Sequence, residues 1–235
     1  MADTTRTYPI AVSKLDSERG PGPSQVARAI NWLRRQPGGP IIVVTPRKDV
    51  DSQALKRLIS TPGVTHLSWR GLSSGSFFGH RVLHIAPDRQ RIDDLWNAEM
   101  DALAVTEWSN LTEWAEDVQA DILTAGGVQK PQQTRDAAGV DPSIPEDIAT
   151  ILDGLAAWAA GYDSGLKWNE IERLKSDLMA NAYRWNLVTP DQVRQECRRL
   201  GMRPKDVDTV ADLVARRQQG GRFNLGKGPH EDFAY

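Results

Sequence analysis

A chain of 235 residues is long enough for one large domain or two modest ones, each able to bury a core. Its 40% hydrophobic and 26% charged residues suit a globular protein, and its longest apolar runs, Ile41–Val44 and the Asp-interrupted Ile151–Ala160, are far too short to cross a bilayer. Net charge is only −2, and the single Cys197 excludes a disulfide framework and any Cys-rich zinc site.

That near-zero charge hides a strong segregation. Residues 28–91 carry eleven Lys/Arg against three Asp, residues 97–153 two against twelve Asp/Glu, and residues 184–227 ten against five. Fields of this size steer charged partners. The alternative is that the basic and acidic regions face each other, within the molecule or across a homo-oligomer.

In chain order, residues 1–23 are polar and end rich in Pro and Gly, which reads as a flexible N-terminal arm. The opening segment lacks the apolar core of a secretory signal, so the expected location is cytoplasmic. An α/β domain is expected over 24–124. Ser24 caps a helix with Val26, Ala29, Ile30 and Leu33 on one face, and Gln36-Pro37-Gly38-Gly39 stops it. A strand over 41–45 precedes a helix from about Ser52, with Ala54, Leu55, Leu58 and Ile59 as its stripe. Strands follow at 64–69 and 81–86, then a helix opened by Pro87 and Asp88 that buries Ile92, Leu95 and Trp96. A strand at 102–108 and a helix at 111–123 complete the domain.

Helices interleaved with short β-branched strands predict a Rossmann-like open sheet of about four mainly parallel strands with flanking helices. The link between 69 and 81 is too short and Gly-rich for a crossover helix, so those two strands are either antiparallel neighbours or joined by a surface excursion. Residues 125–145 are aperiodic and rich in Gly, Gln and Pro, which predicts a linker.

A small all-α helical bundle is expected over 146–220. Ile148, Ile151, Leu152, Leu155 and Trp158 share one face of its first helix, and Trp168, Ile171, Leu174, Leu178 and Tyr183 that of the second. Thr189, Pro190 and Gln192 spell a capping box for the third, Gly201 a C-cap, and Pro204 opens the fourth. Residues 221–235 read as a mobile tail.

In an open α/β sheet, ligands bind outside the carboxyl ends of the strands. The predicted strands are followed by Pro46-Arg47-Lys48-Asp49, Arg70-Gly71, Pro87-Asp88-Arg89 and Glu107-Trp108. If the strands are parallel, three cationic turns share one rim, and Arg47, Lys48, Arg70 and Arg89 are the candidate phosphate contacts. Amides at the helix starts near Ser52 and Asp88 would add to such a site. Solvent-exposed turns are charged in any protein, which is the structural alternative.

Gly71, Gly75 and Gly79 lack the lysine of a Walker loop, and no dinucleotide fingerprint is present. Phe77 and Phe78, with Trp69 and Trp108 at strand ends, are candidate stacking surfaces. His66, His80 and His84 have no metal-ligand spacing, and no Gly-x-Ser-x-Gly elbow places a serine nucleophile. Asp49, Asp51, Asp88 and Glu107 could share a magnesium ion or pair with the arginines.

Residues 190–200 and 205–217 have the lengths of a helix-turn-helix. Asp206 and Asp208 at the second helix start oppose major-groove entry, whereas Arg198, Arg199 and Arg203 suit contacts to a phosphate backbone, or to helix dipoles.

These residues point to a non-catalytic cytoplasmic protein without cofactor, binding a phosphate-bearing partner, foremost nucleic acid. Two alternatives stay open. One is a protein-interaction adaptor or homo-oligomer using the segregated charge. The other is a metal-dependent phosphoryl-transfer enzyme or nuclease using Asp49, Asp88 and Glu107.

Overall fold

The structure, a computed structural model, describes residues 8–16, 22–70, 72, 77–95, 98–109, 111–130, 144–160 and 165–226. The described residues divide into two compact units, one within 8–130 and the other within 144–226. Among the described residues, no helix is long and apolar enough to cross a membrane.

The first unit is α/β, with strands β1 (Ile10–Ser13), β2 (Ile41–Thr45), β3 (Val64–Ser68), β4 (Arg81–Ile85), β5 (Ala102–Thr106), β6 (Asp121–Thr124) and β7 (Gly127–Gln129). They form one seven-stranded sheet in the order β3-β2-β4-β5-β1-β6-β7. Every pairing is parallel except that of β6 with β7. Strands with both faces covered read as continuous apolar runs, which is why Ile41–Val44 is so legible: every residue of β2 is buried.

Helices cover both faces. Helices α1 (Pro23–Arg35) and α2 (Gln53–Ile59) bury Val26, Ile30, Leu33, Leu55 and Leu58 against Ala11, Val43, Leu83 and Ala104 of one face. On the other, α3 (Arg89–Asp93) and α4 (Thr112–Asp117) place Ile92 and Trp114 against Val12, Val44, Val82 and Val105.

Five sequence expectations change here. Seven strands replace about four. The predicted arm contains β1, which lies between β5 and β6 near the middle of the sheet. Four residues, Ile10-Ala11-Val12-Ser13, are too few to display a period, and burial on both faces removes any alternation. The predicted helix over 111–123 stops at Asp117, Gln119 turns left-handed at φ 53°, and Asp121–Thr124 continues as β6. No Gly or Pro at that point signals the break. The start of the predicted linker turns back at Ala125-Gly126 into the edge strand β7, whereas 131–143 lie outside the described residues. Strands β3 and β4 are neither antiparallel nor adjacent: β2 sits between them and pairs in parallel with both.

The described elements of the second unit are α5 (Glu146–Ala160), α6 (Trp168–Ala180), α7 (Ala182–Trp185), α8 (Pro190–Arg199) and α9 (Pro204–Gln218). Ile148, Ile151, Leu155, Leu174, Leu178, Trp185, Val193, Val210 and Val214 share its core. Thr189 and Gln192 form the expected capping box. Trp168 and Tyr183, expected on the apolar face, are exposed. Phe223 is buried in this core and the Gly226 amide donates to Glu172 at 2.9 Å, so residues 221–226 of the predicted tail pack onto the unit. Residues 227–235 lie outside the described residues.

The second unit also buries a charged network absent from the sequence reading. Fully buried Asp177 accepts from Trp185 Nε1 at 2.7 Å, Asn181 Nδ2 at 2.8 Å, and both Nε and Nη2 of buried Arg184. Cys197 is buried beside this core, and its thiol is pushed up to about 12 by burial and the neighbouring Glu196, which leaves it inert as a nucleophile.

Candidate functional site

Because β2, β3, β4, β5, β1 and β6 run parallel, their carboxyl ends share one edge of the sheet. From β2 the chain leaves through α2 towards β3 on one face, and from β4 it leaves through α3 towards β5 on the other. The adjacent ends of β2 and β4 therefore form a topological switch point, where diverging connections open a crevice. The stretch Thr45-Pro46-Arg47-Lys48 lies on its β2 side, and Ala86-Pro87-Asp88 on its β4 side.

On the β2 side, the Thr45 hydroxyl donates to the Arg47 carbonyl and also lies 2.7 Å from His66 Nε2. A hydroxyl has one hydrogen to give, so Nε2 of His66 carries the proton and donates to Thr45. This chain of bonds ties the turn after β2 to edge strand β3. Partial burial and the nearby Lys48 cation lower the His66 pKa.

Beside the end of β4, His84 and Arg91 meet Trp69, which follows β3 and whose amide donates to the Thr45 carbonyl of β2. The Arg91 guanidinium sits 4.3 Å over the Trp69 ring, and the Trp69 and His84 ring centroids are 6.3 Å apart. Arg91 Nε is 3.6 Å from Asp88 Oδ2. Ala86, between β4 and this turn, is left-handed at φ 49°, an uncommon conformation for a residue with a Cβ. Its amide is held by the Thr106 hydroxyl at 2.9 Å.

His84 is 1% exposed, and its pKa is pushed down to about 4 by burial and the Arg91 cation, opposed weakly by Asp88 and the Ile85 backbone. In the unfolded chain the ring takes its proton near pH 6.5, so between pH 6.5 and 4 the unfolded state binds more protons than the folded one. The contribution of His84 to stability is therefore complete above pH 6.5 and falls with pH through this window, by about 3 kcal/mol. Denaturant titrations at pH 7 and pH 4 are expected to show this loss in the native chain and not in His84→Leu. Parallel losses in the two proteins would count against it.

The predicted rim residues separate into two groups. Arg47, Lys48 and Arg70 are exposed at the ends of adjacent strands β2 and β3, and their side chains make no hydrogen bond or ion pair with a described residue. Arg89 instead turns to Asp93 at 3.5 Å and to the buried Asp117 carboxylate at 3.7 Å, linking α3 to α4. Much of the basic segment is likewise internal: Arg28 pairs with Asp16, and Arg81 donates to carbonyls of Gly39 and Gln36 beyond the end of α1. The helix-start amides expected to bind an anion are partly engaged, since Ser52 Oγ accepts from Leu55 and Asp88 Oδ1 from Arg91.

Of the stacking candidates, Phe77 is fully buried in the core and offers no surface. Phe78 and Trp108 are 71% and 61% exposed, whereas Trp69 is half-buried beneath Arg91. The carboxylates do not gather. Buried Glu107 accepts from Lys14 Nζ at 2.6 Å and from the Leu111 and Leu15 amides, Asp88 caps α3, and Asp49 is exposed. Among the described residues, no three His, Cys, Asp or Glu side chains are placed to hold a metal ion.

In the second unit, Arg199 is exposed and donates to Glu196 at 2.8 Å, while Arg198 and Arg203 are half-buried and already partnered. Asp206 is buried near the start of α9, accepting from the Leu166 amide at 3.1 Å, and burial raises its pKa. Asp208 pairs with Arg194 across α8 and α9. The first turn of α9 thus serves internal packing rather than a groove-reading surface.

Sequence reading missed the Thr45–His66 bond, Arg91 and the partnering of Arg89, because each depends on which strands become neighbours. No protein-family model, curated protein or solved structure matches this chain.

Proposed function

We propose that the chain is a non-catalytic cytoplasmic protein that binds a phosphate-bearing partner, nucleic acid, along the β2–β3 part of the carboxyl edge. In this proposal a Rossmann-like open sheet carries the contact, and a small all-α helical bundle adds affinity for the phosphate backbone through exposed cations such as Arg199. The observation that carries it is the set of Arg47, Lys48 and Arg70, exposed and without a partner among the described residues, just past the ends of adjacent parallel strands. Neighbouring strands lie about 4.8 Å apart, so the positive fields of the two strand ends add, offset in part by exposed Asp49 and Asp51 in the turn after β2. Nucleic acid is favoured over an isolated anion because exposed Trp108 ends β5 on the same edge, where it offers a base a stacking surface.

The test is fluorescence anisotropy with labelled single-stranded DNA, RNA and duplex DNA at low and high salt. Binding that weakens steeply with salt and depends on Arg47, Lys48 and Arg70 is expected. A chain that binds none of the three at low salt is not a nucleic-acid-binding protein.

A further inference from the structure

Buried N–H groups are nearly always hydrogen-bonded, because leaving one unmade in a low-dielectric interior is costly. Near the carboxyl ends of β3 and β4 three nitrogens break this rule together. Trp69 Nε1, His84 Nδ1 and Arg91 Nε are all buried and have no hydrogen-bond partner of ordinary geometry. They belong to one cluster, since Arg91 covers the Trp69 ring at 4.3 Å and the His84 ring lies 6.3 Å from it, centroid to centroid. Only one carboxylate, Asp88, is paired with the cation among the described residues, and at 3.6 Å it holds Arg91 Nε loosely.

We infer that the crevice between the ends of β2 and β4 is a site for a terminal phosphate, bound by Arg91, Trp69 and His84. This rests on the assignment of the carboxyl edge as a phosphate-binding surface and deepens it: the partner is engaged at a phosphorylated end as well as along its backbone.

The donor set selects the group. Trp69 Nε1 can only donate, Arg91 can only donate, and a neutral His84 donates from Nδ1 in one of its two tautomers. Each non-bridging phosphate oxygen can accept more than one hydrogen bond, but a terminal phosphate offers three such oxygens and a second negative charge to these donors, against two oxygens and one charge for an internal phosphodiester. Burial keeps the His84 ring neutral at pH 7, so it meets the phosphate as a donor without adding charge. The positive charge comes from Arg91, whose planar fork matches phosphate.

Arg91 also gates the site. Stacked on Trp69, its guanidinium is partly exposed and already oriented. An anion that competes with Asp88 draws it outward and uncovers the Trp69 and His84 nitrogens beneath. The left-handed Ala86 holds the β4 side of this opening in place.

The full-length chain is tested against short oligonucleotides with a 5′-phosphate, a 3′-phosphate or hydroxyl ends, and against a nucleoside monophosphate and inorganic phosphate. One phosphorylated end is expected to bind about tenfold tighter than hydroxyl ends, the gain typical of hydrogen bonds to a charged group. Trp69→Phe keeps an aromatic ring for Arg91 while removing the indole N–H along with part of the ring, so the ratio between phosphorylated and hydroxyl ends is expected to fall towards one. In the native chain the indole N–H signal that Trp69→Phe deletes is expected to shift on adding the phosphorylated ligand.

Equal affinity for phosphorylated and hydroxyl ends, or an unmoved Trp69 indole signal, overturns the site. Salt-sensitive oligonucleotide binding without an end preference leaves the rim assignment standing and removes this inference alone. No oligonucleotide binding, with the Trp69 signal still shifted by the monophosphate or inorganic phosphate, removes the nucleic-acid assignment and keeps the crevice.

Discussion

Asp177→Ala is expected to destabilise the second unit by about 3–5 kcal/mol, the cost of stranding a buried charge. Asp177 is fully buried and receives hydrogen bonds from Arg184, Trp185 and Asn181. Removing it takes from the Arg184 guanidinium, itself 6% exposed, the carboxylate that accepts from both its Nε and Nη2, and strips the Trp185 indole N–H of its acceptor. Domains are stable by only about 5–15 kcal/mol, so this single change removes a large share.

The double variant Asp177→Leu with Arg184→Met discriminates the cause. Replacing both partners with apolar groups removes the charge and its penalty together, so the double variant is expected to be more stable than Asp177→Ala. Urea denaturation followed by circular dichroism measures both. A double variant as unstable as the single one would show that packing volume, rather than the unpaired charge, sets the cost.

The triple variant Arg47→Ala, Lys48→Ala, Arg70→Ala is expected to weaken nucleic-acid binding on the order of a hundredfold at low salt, from three lost phosphate contacts. The slope of log K against log salt is expected to become shallower by about 2–3, since each neutralised phosphate contributes about 0.7–0.9. Stability is expected to change little, because the three side chains are exposed and bond to no described residue. Arg89→Ala serves as the contrast. Its ion pairs with Asp93 and Asp117 are internal, so its loss is expected to register in the denaturation midpoint more than in the salt slope. A triple variant with native affinity and slope would remove these cations from the interface.

How much was legible before the fold was known differs by element for physical reasons. Long amphipathic helices and the run Ile41–Val44 declare themselves, because a 3.6-residue period or an unbroken apolar stretch accumulates over many positions. Strands β1 and β6, with four residues each, do not, and burial of every β1 residue erases the alternation that a half-exposed strand would show. Gln119 ends α4 in a left-handed conformation that no glycine announces.

The sequence by itself determined the chemical materials: two cations after an apolar strand, an Arg-rich basic segment, a single cysteine, and capping residues that start and stop helices locally. Those outcomes depend on neighbours along the chain. Only the tertiary structure decided which cations are available. Parallel pairing of β3, β2 and β4 set Arg47, Lys48 and Arg70 on one edge, while the packing of α3 near Asp117 withdrew Arg89 from it. Strand order also brought Thr45 to His66, and the chain's fold set Trp69 under Arg91. Charge is a property of residues, but its availability is a property of what they pack against, and strand order is not encoded in any local period.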